Sequence, residues 1–91
     1  MTLIEKFQWL TDTYAKEGWS TSEIVLCIEL IRKWNSVGRK SPFTMTGTEL
    51  QKRTGMTKPT ISRARRSLIK RGHIVFGKGH KGKVSSYTLT D

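Results

Sequence analysis

Two helix-start signals lie so close together in the middle of the chain that the helices they begin have almost no connection between them. Thr46 followed by Glu49 is a capping box, and Gly55 is placed to end that helix in the left-handed conformation. A second start follows at Thr57, with Pro59 in the first turn, where the missing N–H is tolerated. The stretch TGMT therefore joins two short helices, and a short turn with a glycine sets such helices at a steep angle.

Two longer helices are predicted before this pair. Apolar residues at 3-4-3-4 spacing predict an amphipathic helix over residues 2–17 that ends at Gly18; they are Leu3, Phe7, Leu10 and Tyr14. A capping box at Ser20 and Glu23 begins a helix to about Val37 that is apolar on nearly every side, which is typical of a buried central element. Trp9 lies off the first stripe, which favours packing against a neighbouring helix or, alternatively, a partner or dimer surface.

The periodicity changes from helical to alternating after Gly72, where the helix from Thr57 is expected to stop. Apolar residues then stand at alternate positions in two segments, as in a half-buried antiparallel hairpin; they are Ile74, Phe76, Tyr87 and Leu89. Residues 43–45 predict one short edge strand. We therefore expect an α+β, mainly helical fold in one domain over residues 1–91, with an N-terminal helix (1–18) and a core (20–91). The chain ends just after a strand, which is compatible with its being the N-terminal part of a longer protein.

Positive charge is concentrated in the second part of the chain. The net charge is +10, yet residues 1–38 hold four Lys/Arg against five Asp/Glu. Residues 39–91 hold thirteen Lys/Arg against two Asp/Glu. This segregation indicates a polyanionic partner, with nucleic acid as the first candidate and an anionic membrane surface as the second.

Catalytic and metal-binding chemistry is not indicated by the sequence. The seven Asp/Glu are scattered, and His73, His80 and Cys27 lack metal-ligand spacing, so we expect neither an enzyme nor a metal site. A lone cysteine excludes an internal disulfide and fits a reducing compartment. The apolar run Ile24–Ile31 is interrupted by Glu29 and too short to cross a membrane, and the first residues show no cleavable signal pattern.

The segment GKGHKGKV at residues 77–84 matches the G-x-G-x-x-G dinucleotide fingerprint. That fingerprint requires a helix after the glycines, whereas KVSSYTLT is rich in strand-forming residues. The match to a P-loop fails because Val84 stands where Ser or Thr should hold magnesium. The kinase glycine-loop pattern lacks the downstream motifs that it needs. We therefore expect no cofactor and no small-molecule substrate, and interpret the segment as the tip of the hairpin.

The order of elements and the segment TGTELQKRTGMTKPTISRARRSLIKRGHIVF resemble the winged helix-turn-helix family. The positions that match are apolar or glycine residues of the two helices, their turn and the exit into the hairpin: Leu50, Gly55, Ile61, Ala64, Leu68, Gly72 and Ile74. The further stretches CIELIRKWN, SPFTMTGTEL and SSYTLT resemble the DNA-binding domain of replication initiation proteins from phages and mobile elements, over residues 20–90. Two departures are Arg65, where many winged helices have an apolar residue, and the polar Gln51 and Arg53.

The resemblance implies double-stranded DNA binding in replication initiation, in the cytoplasm of a bacterial or phage-infected cell. Two alternatives are a transcriptional repressor with the same domain, and a protein-interaction module that uses the N-terminal helix and Trp9 to form a homodimer or to bind a replication or transcription protein. RNA is a weaker candidate because the expected exposed faces show no aromatic platform on which bases could stack.

The face of helix 57–71 opposite its apolar stripe is the expected recognition surface, because an α-helix reads the major groove with its N-terminal residues. Arg63 and Arg66 are expected to read guanine or to hold phosphates. Pro59, Thr60 and Ser62 are expected to contact phosphates or thymine methyl groups, and Lys58 is expected to contact a phosphate. Thr57 is expected to cap the helix, and such caps often also donate to a phosphate.

The hairpin tip is expected to lie along or in the neighbouring minor groove. Its glycines let the backbone approach the sugar-phosphate chain, and its cationic candidates are Lys78, His80, Lys81 and Lys83. The remaining basic residues are expected to play other parts: Lys70 and Arg71 complement the helix dipole, while Arg39, Lys40, Lys52 and Arg53 add to the general field. Arg65 is either a DNA contact or a solvated flank, with Ile69 taking over some of its packing.

Overall fold

Most of the helices begin at the residues whose side chains can cap them. The structure, a computed structural model, describes residues 2–79 and 84–90. Helix α1 spans Leu3–Glu17, α2 Thr21–Ser36, α3 Gly47–Thr54 and α4 Lys58–Lys70. Complete capping boxes form at the start of α1 and α2, from Thr2 with Glu5 and from Ser20 with Glu23.

The predicted capping box of α3 is only half formed. The Thr46 side chain accepts the Glu49 N–H at 2.9 Å, as predicted. The Glu49 carboxylate does not return to the Thr46 backbone, because it binds Lys33 and Arg53 at 2.9 Å each. Gly55 ends α3 with φ of 71°, in the left-handed conformation that the sequence predicted for it.

Three strands form an antiparallel sheet in the order β1-β3-β2. Strand β1 is Phe43–Thr44, β2 is Ile74–Gly77 and β3 is Ser86–Leu89. The two β2 residues that were predicted to face inward lie opposite their β3 counterparts, in the pairs Ile74–Leu89 and Phe76–Tyr87. The short edge strand and the alternation of the hairpin are confirmed.

Helix α2 is the central element of the core, as its apolar surface predicts. It packs against α1, α3 and α4. Its buried apolar residues are Leu26, Cys27, Leu30, Ile31 and Trp34, and the other elements add Leu10, Trp19, Phe43, Met45, Leu50, Ile61, Ala64, Leu68, Ile74 and Tyr87. The described residues thus form four helices and one three-stranded antiparallel sheet, which confirms an α+β, mainly helical fold.

Helix α1 packs on this core through its predicted stripe. Leu10 is buried, while Leu3, Phe7 and Tyr14 are partly buried against the core. Trp9 lies edge-on to Trp19 and His73, with ring centroids 6.0 and 5.0 Å apart. Trp9 therefore packs within the chain. Within residues 2–79 and 84–90, no helix is long and apolar enough to span a membrane.

Candidate nucleic-acid interface

Helices α3 and α4 are joined by only three residues, Gly55 to Thr57. The turn is stabilised locally, since the Met56 N–H donates to the Thr54 hydroxyl at 3.2 Å. The inner side of α4 is apolar, with Ile61, Ala64 and Leu68 buried as predicted. Because a helix repeats every 3.6 residues, burial of this stripe turns the opposite side of α4 outward.

The outward side of α4 carries one line of residues at 4-3-4 spacing. Pro59, Arg63, Arg66 and Lys70 are all exposed and share this side of the helix, which we call the α4 stripe. The sequence interpretation favoured the helix dipole for Lys70 and did not include it among the DNA contacts. Its place in the stripe could have been found from its spacing of four residues from Arg66.

Three other predicted site residues lie on the flanks of the α4 stripe. Lys58 is exposed and Ser62 is half-buried, and both face the sheet side, where they line a groove. Thr60 is half-buried and faces the start of α2, beside Ser20. The structure therefore brings Lys58 and Ser62 together, and separates both of them from Thr60.

The cations of the α4 stripe form no ion pair among the described residues, although Arg63 and Glu23 line the same pocket. Helix α4 contains no Asp or Glu. The ion pairs of the described chain lie elsewhere and involve Glu17, Glu23, Glu29 and Glu49 with Arg32, Lys33, Arg53, Arg71 and His73. The structure thus pairs Arg32, Lys33 and Arg53 of α2 and α3 with carboxylates, and leaves Lys52 and the cations of the α4 stripe exposed.

The start of α4 differs from the expectation for Thr57. Thr57 occupies the N-cap position, but its side chain makes no hydrogen bond to the helix backbone. Its hydroxyl lies 3.0 Å from the hydroxyl of Thr60. The first turn of α4 therefore lacks the side-chain acceptor that the other three helices have at this position.

A groove of about 260 Å³ separates α4 from strand β3. Its lining includes the buried apolar residues Met45 and Ile61 and the buried Tyr87. Polar groups complete the lining, from Gly47, Lys58, Ser62, Arg65 and Ser85. The groove connects the sheet-side flank of α4 to the hairpin.

The β2–β3 hairpin is described up to the first loop residues on each side. The last pair in the register is Gly77–Ser86, and Lys78 follows it as an exposed residue. The Gly79 N–H donates to the Ser85 hydroxyl at 3.4 Å. The other predicted contacts of the tip lie outside the described residues; they are His80, Lys81 and Lys83.

Arg65 has a role that neither sequence interpretation included. It is half-buried, and its guanidinium carbon lies 4.3 Å from the centroid of the Phe76 ring. Its Nη1 donates to the Tyr87 hydroxyl at 3.3 Å. Ile69, which was expected to take over some of the packing of Arg65, is 40% exposed. The signal in the sequence was the position of Arg65 beside the inner stripe, facing the aromatic residues of the predicted strands.

Two other basic residues bind carboxylates, although the sequence interpretation assigned Arg53 to the general field and Arg71 to the helix dipole. Arg53 pairs with Glu49 at 2.9 Å and with Glu29 at 3.6 Å. Arg71 pairs with Glu23 at 3.0 Å and donates to the Glu17 carbonyl oxygen at 3.0 Å. Their charges are largely balanced within the fold.

Metal chemistry finds no support in the described part of the chain. No cluster of three or more His, Cys, Asp or Glu side chains is close enough to hold an ion there.

Comparison with known proteins finds no significant match, whether to a family model, to a curated protein or to a solved structure. The interpretation of the site therefore depends on the residues of this chain.

Proposed function

We propose that this chain is a winged-helix protein that binds double-stranded DNA, with α4 in the major groove and the β2–β3 hairpin against the neighbouring backbone or minor groove. The observation that carries the proposal is the α4 stripe. It presents Arg63, Arg66 and Lys70 on one exposed side of a helix, and none of the three forms an ion pair in the described structure. The major groove of B-DNA admits an α-helix, and cations there bind phosphates and base edges.

The proposed roles follow from position on α4. Arg63 and Arg66 are exposed in the middle of the helix, where a bidentate guanidinium reads guanine or holds a phosphate. Lys58 and Ser62 lie beside the groove toward the hairpin, which suits phosphate contact. The remaining proposed contacts, to phosphates or thymine methyl groups, come from the first turn: Thr57, Pro59 and Thr60.

The hairpin is proposed to act as the wing. Lys78 is exposed directly after the last strand pair, and His80, Lys81 and Lys83 follow it in the sequence. Lysines on a hairpin beside a recognition helix add phosphate contacts without reading sequence. The wing would thus strengthen binding while α4 supplies specificity.

The biological role that we propose is replication initiation in a phage or mobile element, on the basis of the sequence resemblance. A transcriptional repressor would use the same interface. Selection of bound sequences from random duplexes distinguishes the two roles, because a palindromic site indicates a dimeric regulator and direct repeats indicate an origin with iterated sites.

The direct test is titration of a labelled duplex by fluorescence anisotropy at several salt concentrations. Neutralisation of about five phosphates gives a log–log slope of about −4 to −5. The double variant Arg63→Ala/Arg66→Ala should reduce the magnitude of that slope by about two. A single strand of the same sequence should bind more weakly than the duplex.

A charge-matched control separates the proposed face from net charge. Lys16→Ala/Lys40→Ala also removes two exposed cations, from the end of α1 and from the loop before β1. This control should keep nearly the whole slope. Absence of duplex binding, a flat salt dependence, or equal losses in the two double variants would contradict the proposal.

A further inference from the structure

We propose that Arg65 is a positioning residue that fixes α4 relative to the β2–β3 hairpin, so that both can contact one duplex at the same time. The inference rests on the proposed DNA binding and adds a residue whose main partners are inside the protein. It assigns Arg65 to neither of the two roles expected from the sequence, a DNA contact or a solvated flank.

Arg65 contacts both strands of the hairpin. Its guanidinium lies over the Phe76 ring of β2 at 4.3 Å and donates to the Tyr87 hydroxyl of β3 at 3.3 Å. Phe76 and Tyr87 are directly opposite each other in the register. One side chain of α4 therefore binds a cross-strand pair.

The surface that Arg65 contacts is held in place by packed aromatic rings. Tyr87 is 1% exposed, and its ring centroid lies 5.3 Å from that of Phe76 and 6.0 Å from that of Phe43. The three rings come from β2, β3 and β1, so they form one aromatic row across the sheet. A cation stacked on a ring and bonded to a fixed hydroxyl has a defined position.

The contact of Arg65 lies away from the base of the hairpin. At the base of the hairpin, the His73 N–H donates to the carbonyl oxygen of Leu68 in α4 at 3.1 Å. Arg65 contacts the hairpin farther along, at the pair Phe76–Tyr87. This pair directly precedes the last one, Gly77–Ser86. The buried Ile74 and Tyr87 already hold the hairpin against the core. Arg65 adds a polar contact from α4 at a second distance from the base, which further restricts the angle between α4 and the outer part of the hairpin.

The guanidinium of Arg65 is bound by aromatic side chains and not by a carboxylate of the described residues. No described carboxylate lies within ion-pair distance of Arg65, so its location is not explained by a salt bridge. Burial raises the pKa of Tyr87, and the nearby Arg65 opposes that rise, which is consistent with a cation held against a buried phenol. The adjacent Arg66 is exposed and remains available to DNA.

The functional consequence is preorganisation. If the angle is fixed before binding, the hairpin meets the duplex at high effective concentration once α4 is seated, and less ordering remains to be done in the complex. Loss of Arg65 should therefore weaken DNA binding only in a protein that has the hairpin tip, because the contacts of the tip are the ones that depend on the fixed angle.

The test is a double-mutant cycle between Arg65 and the hairpin tip. Arg65→Met keeps an apolar chain over Phe76 but removes the charge and the hydrogen bond. The tip is removed by replacing residues 78–85 with Asn-Gly, a two-residue turn that can join the Gly77–Ser86 pair. The dissociation constant for the same duplex is measured for the four proteins at one salt concentration, after circular dichroism has shown that each is folded.

We expect Arg65→Met to weaken binding about tenfold in the intact protein and less than about twofold in the shortened one. Tyr87→Phe provides a second variant, because this residue is buried and loses only the hydroxyl that accepts from Arg65. It should show the same dependence on the tip with a smaller loss. Lys16→Met, which removes an exposed charge on α1, should give equal and small losses in both backgrounds.

An equal loss from Arg65→Met in both backgrounds would show a direct DNA contact and overturn the inference, as would no loss in either background. Both results leave the proposed function intact, because the unaltered protein binds duplex in them. Failure of the unaltered protein to bind any duplex overturns the proposed function, and the inference with it.

Discussion

Glu23 and Arg71 form an ion pair of 3.0 Å that joins the first turn of α2 to the residue that ends α4. The other carboxylate oxygen of Glu23 accepts from the Ser20 N–H, which completes the capping box of α2. The oxygen that binds Arg71 also accepts from the Ser67 hydroxyl at 3.0 Å. One buried carboxylate thus caps the central helix and holds α4 against it.

We expect Glu23→Ala to lower the free energy of unfolding by about 2–3 kcal/mol, because it removes the acceptor of the Ser67 hydroxyl and one of the acceptors of Arg71. Glu5→Ala is the matched control, since Glu5 closes the same type of capping box on α1 but is exposed. It should cause a clearly smaller loss. Urea unfolding followed by circular dichroism measures both; equal losses would show that the bonds to α4 add nothing to the cap.

The same carboxylate predicts acid sensitivity. Burial raises the pKa of Glu23, but hydrogen bonds from the Ser20 backbone, Arg71 and Ser67 outweigh that effect and hold the pKa below its ordinary value of 4.5. The bond from Lys33 likewise lowers the pKa of Glu49. A lowered pKa in the folded state stabilises the fold above the unfolded pKa, and this stabilisation is lost as the pH falls through the folded value.

When thermal unfolding is measured from pH 7 to strongly acidic pH, the melting temperature should therefore fall once the pH is lower than about 4.5. Glu23→Gln should start from a lower melting temperature at pH 7 and show a shallower drop. Asp12→Asn, at an exposed residue without an ion pair in the described structure, should follow the unaltered protein. A drop in Glu23→Gln as steep as that of the unaltered protein would assign the acid sensitivity to other groups.

Lys70 tests whether the α4 stripe extends to the end of the helix. Lys70→Ala should weaken binding to all duplex sequences alike and reduce the magnitude of the salt slope by about one, as expected for a phosphate contact. Lys16→Ala is the control, because Lys16 is also an exposed lysine in the last turn of a helix. If Lys70 served only the helix dipole, the two variants would have the same DNA affinity.

Leu68 and Ile69 test the rotation of α4. Leu68 is fully buried and Ile69 is 40% exposed, although the two side chains have similar size. Leu68→Ala should lower the free energy of unfolding by about 2–5 kcal/mol, whereas Ile69→Ala should cost less than about 1 kcal/mol. Urea unfolding measures both, and a large loss for Ile69→Ala would show that α4 is rotated toward the sheet.

The local elements of this fold were predictable because their signals are local. Ser20 with Glu23 and Gly55 mark a helix start and a helix end whatever surrounds them, since the bonds involved span only a few residues. The inner stripe of Ile61, Ala64 and Leu68 was predictable for a similar reason. Helical periodicity places such residues on one side before any partner is known.

Partners of long polar side chains were not predictable in this way. Glu49 carries the capping signature with Thr46, yet its carboxylate binds Lys33, sixteen residues away. Thr57 has the right type and position for a cap, yet its hydroxyl pairs with Thr60. In both cases several acceptors and donors lie within reach, and the packing of the helices decides which are used.

The sequence by itself determined where the helices and strands form, which side of each is apolar, and that the positive charge is concentrated after residue 38. Only the tertiary structure decided which cations remain exposed. Arg53 and Arg71 bind carboxylates, and Arg65 binds the aromatic row. Arg63 and Arg66 remain exposed on the outside of α4. The physical reason is that elements and their apolar sides depend on neighbours along the chain, whereas the neutralisation of a charge depends on groups that folding brings together from distant positions.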